Sequence, residues 1–301
     1  MTRYLIILTF LTVFCSCNRN KFEHDASGIF EATEVIVSSE VSGKIEAFDI
    51  TEGMTLNKGQ YVGSIDSIQL YLKKLQLQAT RKAVNVRRPD INLQIAATKD
   101  QIEKAKLEKK RVENLFKADA ATQKQVDDAD SQLRVLQSTL TAQINSLSVS
   151  VNSLNEESSI YEIQIAQIED QLSKCKIINP INGTVLNKYV EVSEVTMPGK
   201  PLYKIADIKN MFLRVYLNTS QLEKVSIGQK VTVFIALSDG NQKSYPGTVT
   251  WISDKAEFTP KTIQTKDERQ NLVYATKIAV ENTDGLIKIG MYGDVELRIE
   301  N

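Results

Sequence analysis

The chain has 301 residues, 42% of them hydrophobic and 25% charged, with 37 basic side chains balanced by 37 acidic ones. That length suits about two ordinary domains, and a formal charge of zero leaves no global field to draw the protein to nucleic acid. Three cysteines, two of them within the first 17 residues, exclude a disulfide framework.

The first element is an export signal. Arg3 precedes an apolar run from Tyr4 to Phe14, too short to cross about 30 Å of hydrocarbon. It ends in Phe14-Cys15-Ser16-Cys17 and the polar Asn18-Arg19-Asn20-Lys21. This resembles the lipobox of bacterial lipoproteins, which implies cleavage before Cys17 and a lipid anchor on that cysteine. Such an anchor holds the protein outside the cytoplasm. Phe14 and Cys15 depart from the commonest lipobox residues, so an ordinary signal peptide is the alternative. Aspartate after the lipidated cysteine would favour retention in the inner membrane; Asn18 stands there instead. The reading is a periplasmic protein with its anchor in the inner membrane rather than the outer. Residues 1–17 are then the signal peptide and 18–30 a linker.

Two segments 140 residues apart resemble each other. Val41 to Ile65 reads VSGKIEAFDITEGMTLNKGQYVGSI, and Ile181 to Ile205 reads INGTVLNKYVEVSEVTMPGKPLYKI. Gly43 aligns with Gly183, Gly59 with Gly199 and Ile65 with Ile205, without a gap. Apolar and polar residues alternate around these glycines, as in short half-buried strands. The glycines suit turns that need positive φ or close backbone approach. Each copy is too small to fold alone, so the two pair into one β-domain.

Residues 67–174 separate the halves and read as helix. Val126, Ala129, Leu133, Leu136, Leu140 and Ile144 recur at steps of three and four, continuing to Leu172 with one polar step at Ser158. A poorer stripe runs through Ile91, Ile95, Ile102, Ala105 and Val112. Narrow seams of this kind predict a coiled-coil hairpin. Pro89 breaks the first arm, nothing breaks Thr122 to Lys174, and the polar stretch Lys117 to Gln125 holds the turn. The carboxylates Asp127, Asp128 and Asp130 favour the dipole of the second arm. After residue 207 the pattern is β again. Met211–Leu217, Lys230–Leu237, Tyr245–Ile252, Leu272–Val280 and Gly293–Ile299 predict five or six antiparallel strands in a small barrel.

The repeats resemble the two halves of a lipoyl domain, with the lysine-bearing hairpin of carrier proteins replaced by the helical insertion. Lys44 and Lys204 are not placed to substitute for that lysine. The nested order as a whole resembles the HlyD-type membrane fusion proteins, over the entire mature chain. The expected fold is α+β, with a split lipoyl-like sandwich at 31–66 and 175–207. The long α-helical coiled-coil hairpin occupies 67–174, and a small antiparallel β-barrel occupies 208–301. The resemblance implies a non-enzymatic adaptor, self-associated as a hexamer, between an inner-membrane transporter and a TolC-like outer-membrane channel.

Two stretches carry finer expectations. Arg111, Leu115 and Thr122 match the spacing of the family's hairpin-tip motif and are expected to meet the channel. The same residues also suit a helix-end arginine, a seam leucine and an N-cap threonine. The stretch from Ala256 to Tyr274 resembles that of adaptors paired with ABC-type exporters. Its residues Phe258, Pro260, Lys261 and Arg269 are expected to face the transporter, or else form an ordinary barrel loop. The chain stops at Asn301 after its last strand, without the further membrane-proximal domain of proton-driven pump adaptors, which also favours an ABC partner.

Enzyme readings lack the residues. His24 is the only histidine and is read into the polar linker. No spacing suits a metal, no glycine loop suits a phosphate, and no cofactor is expected. Lone Cys175 reads as a small apolar residue where the second arm meets the sandwich. The rivals are an adaptor of a proton-driven pump, a structural or signalling coiled-coil lipoprotein, and a biotin or lipoyl carrier. A scaffold would have no use for the tip residues, and a carrier would need mass added to a lysine.

Overall fold

The computed structural model describes residues 24–238, 241–258 and 272–297. Cys17 and the rest of the expected signal peptide lie outside these residues, as do Pro260, Lys261 and Arg269. Chain order begins with β1 (Ala26–Ser38), β2 (Gly43–Phe48), β3 (Thr55–Leu56) and β4 (Tyr61–Ile65). Three helices follow, α1 (Ile68–Val86), α2 (Ile91–Lys117) and α3 (Gln123–Lys174). Next come β5 (Lys176–Ile178), β6 (Gly183–Lys188), β7 (Val195–Thr196) and β8 (Pro201–Asn218). A single helical turn, α4 (Thr219–Leu222), precedes β9 (Lys230–Ala236), β10 (Gln242–Phe258), β11 (Leu272–Glu281) and β12 (Tyr292–Glu296).

The repeat seen in the sequence is a twofold in the sandwich, bond for bond. β2 pairs Gly43 with Thr196 of β7, and β6 pairs Gly183 with Leu56 of β3, the same pair moved by 140 positions. Ile45 faces Ile65 as Val185 faces Ile205. Tyr61 faces Ile178 as Pro201 faces Ser38. Ile45, Val62 and Ile65 and their counterparts Val185, Leu202 and Ile205 are all buried in one cluster. That shared core is the reason neither half stands alone.

The four glycines divide into two kinds of need. Gly59 and Gly199 have φ of 81° and 84°, the left-handed region that side chains avoid. Gly43 and Gly183 are crowded instead: a Cβ would stand 2.6 Å from Ile65 Cγ2 in one and 2.5 Å from the Ala206 carbonyl oxygen in the other. The symmetry also exposes an exception. Gly53 turns with φ of 84°, and its counterpart Ser193 makes the same turn at 77° with a side chain attached. A non-glycine residue there carries a strain of about 1–2 kcal/mol.

The hairpin leaves from between β4 and β5, which are hydrogen-bonded neighbours. Ile65 N–H donates to the Cys175 carbonyl at 2.8 Å, so the two ends of the insertion touch. α3 is continuous over 52 residues, about 78 Å at the standard rise. The opposing arm is split. Arg87 caps α1, and the Asp90 side chain, just past Pro89, accepts from the N–H groups of Asn92 and Leu93 to start α2. Leu77 and Val84 of α1, Ile95 and Ile102 of α2, and Leu133 and Ile165 of α3 are buried. Ser158, the polar step in the stripe, is buried as well. Thr98 Oγ1 donates to Gln143 Oε1 at 2.9 Å, a polar contact inside the seam.

β8, β11, β10, β9, β12 and β1 form the barrel in that order, and the pairing of β1 with β8 closes it. The sixth strand is therefore the start of β1, inside the 18–30 segment read as linker. Phe30 is fully buried in the barrel core. The inward positions around it are small, Ala26, Gly28 and Ala32, which erases the apolar alternation. A Cβ on Gly28 would lie 2.0 Å from the Arg214 carbonyl oxygen, so a larger residue could not pair there. His24 is likewise not on a free linker. Its ring stacks on Phe234 at 4.8 Å and bonds the Gln242 side chain at 3.1 Å. β1 and β8 each run on from barrel to sandwich, with a bulge where Ala32 faces Met211 and Thr33 faces Asp207. The buried Asn282 side chain secures that bulge by donating to the carbonyls of Ile208 and Ile287.

Two outcomes test this account. Ser193→Gly should raise the free energy of unfolding by roughly 0.5–1 kcal/mol, the relieved strain less the extra freedom of the unfolded chain; a loss of stability in denaturant melts contradicts the strained turn. Replacing residues 68–173 by about six Gly and Ser residues should leave a cooperatively folding, β-rich protein, since closing a shorter loop costs roughly 2 kcal/mol less. An unfolded product in circular dichroism contradicts the independence of the sandwich from its insertion.

Candidate docking site at the hairpin tip

The turn between the arms occupies residues 118–122. α2 ends as the Leu115 carbonyl accepts from Ala118 N–H at 3.1 Å and Ala120 N–H at 2.8 Å. Asp119 takes the left-handed conformation, φ 54°, that such a helix end requires. α3 starts at Thr122, whose hydroxyl accepts from Gln125 N–H while the Gln125 side chain accepts from Thr122 N–H at 2.8 Å. This reciprocal capping box follows from the T-x-x-Q spacing and was open to sequence reading through Gln125. Both helix ends thus satisfy their own backbone groups in five residues.

Below the turn the arms are joined by charge. Lys109 of α2 and Asp130 of α3 approach to 2.5 Å, and Arg134 adds a second contact to Asp130 at 2.7 Å. Their mutual hydrogen bond raises the Lys109 ammonium and lowers the Asp130 carboxyl from their ordinary values. This corrects the role expected of Asp130. The first turn of α3 holds no acidic residue, so helix-dipole compensation is not what this carboxylate does.

Arg111 and Leu115 lie four residues apart and share the outer face of α2, away from α3. The Arg111 side chain is 67% exposed. Glu108 holds its guanidinium through Nε at 3.0 Å and Nη2 at 2.6 Å, which lowers the Glu108 carboxyl from its usual range. That grip uses two of the five guanidinium donors and leaves three facing outward. Leu115 and Phe116 are each about two-fifths exposed at the same end. Leu115 and Thr122 thus bracket the turn, and Arg111 lies one helical turn before Leu115 on the same face of α2: a held cationic fork, an apolar knob and a fixed loop start along the end of the hairpin. Such a surface can dock on carbonyls, carboxylates and an apolar groove.

The other expected site sits at the far end of the molecule. Phe258 and Leu272 are paired across β10 and β11, and Val273 pairs with Asn218. Gln221, in the turn after Asn218, donates to the Asp25 backbone carbonyl. The strand ends that bracket residues 259–271 therefore lie where the chain enters the barrel.

Among the described residues no group of three or more His, Cys, Asp or Glu side chains could hold a metal ion. No helix among them is long and apolar enough to cross a membrane. Cys175 is buried where α3 meets the sandwich, and burial raises its thiol.

Comparison with known proteins agrees with this architecture. A UPF0194 membrane protein of Enterobacter sp. (strain 638) is 27% identical over 282 residues, covering 85% of this chain and 82% of the relative. The UPF0194 membrane protein YbhG of Salmonella gallinarum is 26% identical over 298 residues, covering 91% and 88%. The crystal structure of MacA from Actinobacillus actinomycetemcomitans superposes with a TM-score of 0.56 at 22% identity, over 90% of this chain and 76% of that one. The membrane fusion protein Spr0693 from Streptococcus pneumoniae R6 gives a TM-score of 0.52 at 19% identity, over 91% and 98%. At such identities the two structures establish the fold. The family described as "RND MFP, barrel-sandwich hybrid domain" matches residues 33–207, more than half the chain. The chain belongs to the RND-type membrane fusion protein family, the periplasmic adaptors.

Proposed function

We propose that this protein is the adaptor of a tripartite efflux system that joins an inner-membrane transporter of the ABC type to a TolC-like outer-membrane channel. The observation that carries the reading is the exposed pair Arg111 and Leu115 beside the Thr122 cap, at the end of a hairpin about 78 Å long. A coiled coil that served only as a scaffold would need neither an outward guanidinium nor an outward leucine at its tip.

The mechanism is geometric. Copies of the chain form a ring, a hexamer by the family resemblance, through which substrate passes while a separate subunit supplies the energy. The Cys17 lipid anchors each copy in the inner membrane, seven residues before the packed His24. The segment from Phe258 to Arg269 is bracketed by strand ends on that same side of the barrel. Its resemblance to the corresponding stretch of ABC-paired adaptors supports this choice of transporter. Nothing in the role calls for catalysis by the adaptor itself.

Arg111→Asp and Leu115→Ser should each cut export by about tenfold or more, since reversing a desolvated interfacial charge costs several kcal/mol whereas an exposed helical ion pair is worth tenths. Transporter capture and the helical circular dichroism should not change; wild-type export in both variants removes the tip from the docking surface. Separately, Cys17→Ser should abolish incorporation of radioactive palmitate and release the protein from the membrane fraction. Palmitate labelling at the wild-type level in that variant rules out the anchor.

A further inference from the structure

β8 passes from sandwich to barrel through the bulge at residues 207–210, and a cleft opens beside that bulge. Its larger lobe, about 490 Å³, reaches the barrel at Glu281, Thr283 and Gly285. Its smaller lobe, about 290 Å³, reaches the sandwich at Asn57, Asn182 and Gly183. Thr55, Thr184, Ile208 and Lys209 line both lobes, so the two are one cleft. The larger lobe has the size of a small-molecule site, roughly 300–1,000 Å³, and such sites favour the joints between domains.

Much of its polar surface is uncommitted. Thr55 and Thr184 are direct partners across β3 and β6, yet among the described residues neither hydroxyl has a hydrogen-bond partner. The same holds for the Thr283 hydroxyl and the Asn57 side chain. Lys209 and Glu281 lie on neighbouring strands, where Asn282 N–H donates to the Lys209 carbonyl at 2.8 Å. They carry opposite charges but form no ion pair among the described residues. The two aspartates nearby are occupied. Asp207 accepts from the N–H groups of Lys209 and Asn210, while Asp284 accepts from Tyr245 Oη at 2.7 Å and from Lys243 Nζ at 2.6 Å.

The twofold of the sandwich supplies an internal control. Each wall position has a counterpart 140 residues away, on the side from which the hairpin leaves. Thr55 corresponds to Val195 and Asn57 to Met197. Val195 is 69% exposed and Met197 63%. The fold therefore accepts large apolar side chains at these positions, and exposure to solvent does not force polar ones. Thr55 and Asn57 owe their polarity to the cleft they face.

The lining selects its ligand by chemistry. Among the described residues no aromatic side chain lines either lobe, which removes the ring faces that sugars and planar apolar molecules stack on. A simple anion would meet Glu281, and a simple cation would meet Lys209. A molecule with an ammonium, a carboxylate and amide groups between them meets neither conflict. Glu281 takes the ammonium and Lys209 the carboxylate, in charge-assisted hydrogen bonds. The threonine hydroxyls and asparagine amides both donate and accept, as peptide groups require. We infer that the cleft between sandwich and barrel binds a short peptide with free ends. Its occupant touches β3 and β6 on one side and the connection from β11 to β12 on the other, so it also fixes the setting of the two domains across the bulge. The site is separate from the hairpin tip and stands whether or not the tip docks on a channel.

Triglycine is the probe, since it has both charged ends and peptide groups but no side chain. Titrated into the full-length protein in detergent and followed by saturation-transfer NMR, it should bind with a Kd of about 1 mM, as ordinary ligand efficiency gives for so small a molecule. Lys209→Ala and Glu281→Ala should each weaken binding about tenfold, the loss of one charge-assisted hydrogen bond. Triglycine acetylated and amidated at its ends should lose at least as much. Thr55→Val with Asn57→Met installs the residues that the counterpart positions already carry, so it should remove the signal while the midpoint of denaturant unfolding stays in place. No saturation transfer at ten times the expected Kd overturns the proposal. Equal binding of free and blocked triglycine, or wild-type affinity in both charge variants, overturns it as well.

Discussion

The hydrogen bond from Ile65 N–H to the Cys175 carbonyl joins two points of the chain that enclose the whole hairpin. It is one rung of the β4–β5 ladder, and that ladder exists because the first half of the sandwich needs the strand that leads into the second. The twofold then supplies its counterpart. β4 and β5 carry the hairpin as β8 and β1 carry the barrel, by the same pairs moved through 140 positions. The hairpin and the barrel are thus attached at symmetry-equivalent points of one small domain. A single buried core, shared between Ile45, Ile65, Val185 and Ile205, positions both.

The repeat was legible because the sandwich repeats its constraints along with its residues. A left-handed turn recurs at Gly59 and Gly199, and a close strand approach recurs at Gly43 and Gly183. The coiled-coil stripe of α3 and the break at Pro89 were legible for similar reasons, since period and ring geometry act locally. Other features depend on partners far away in the chain. The start of β1 packs small residues inward because β8 passes close by, and no local pattern announces that. The inner stripe of α1 was missed because its apolar outer stripe masks the period. Thr98 in the seam gives no apolar signal, since its partner is Gln143 on the other arm.

At the tip, residue types and spacing were readable, but their arrangement was not. Sequence spacing suggested Arg111, Leu115 and Thr122, and the structure places Leu115 and Thr122 on either side of residues 118–122 with Arg111 one helical turn farther down α2. It also shows how they are held: Glu108 orients the guanidinium, Gln125 completes the cap, and Lys109 with Asp130 ties the two arms one level below. These supports pair an acid with a base or an amide with a backbone group, and charge runs alone do not reveal which pairs form. Cys17, Pro260, Lys261 and Arg269 lie outside the described residues and remain part of the proposal.

The interruption of one arm beside the unbroken other has a mechanical consequence. At residues 87–90 the hairpin is locally a single helix thick, so its bending stiffness falls there to that of α3 alone. The Arg87–Glu157 ion pair, exposed and worth little, does not stiffen the joint. Beyond it α2 runs 27 residues, about 40 Å of lever, so a bend of about 10° displaces the tip by about 7 Å. The compliant point divides the hairpin into a base held by the β4–β5 ladder of the sandwich and a distal segment that can swing, allowing the far end to find its target while the near end stays fixed.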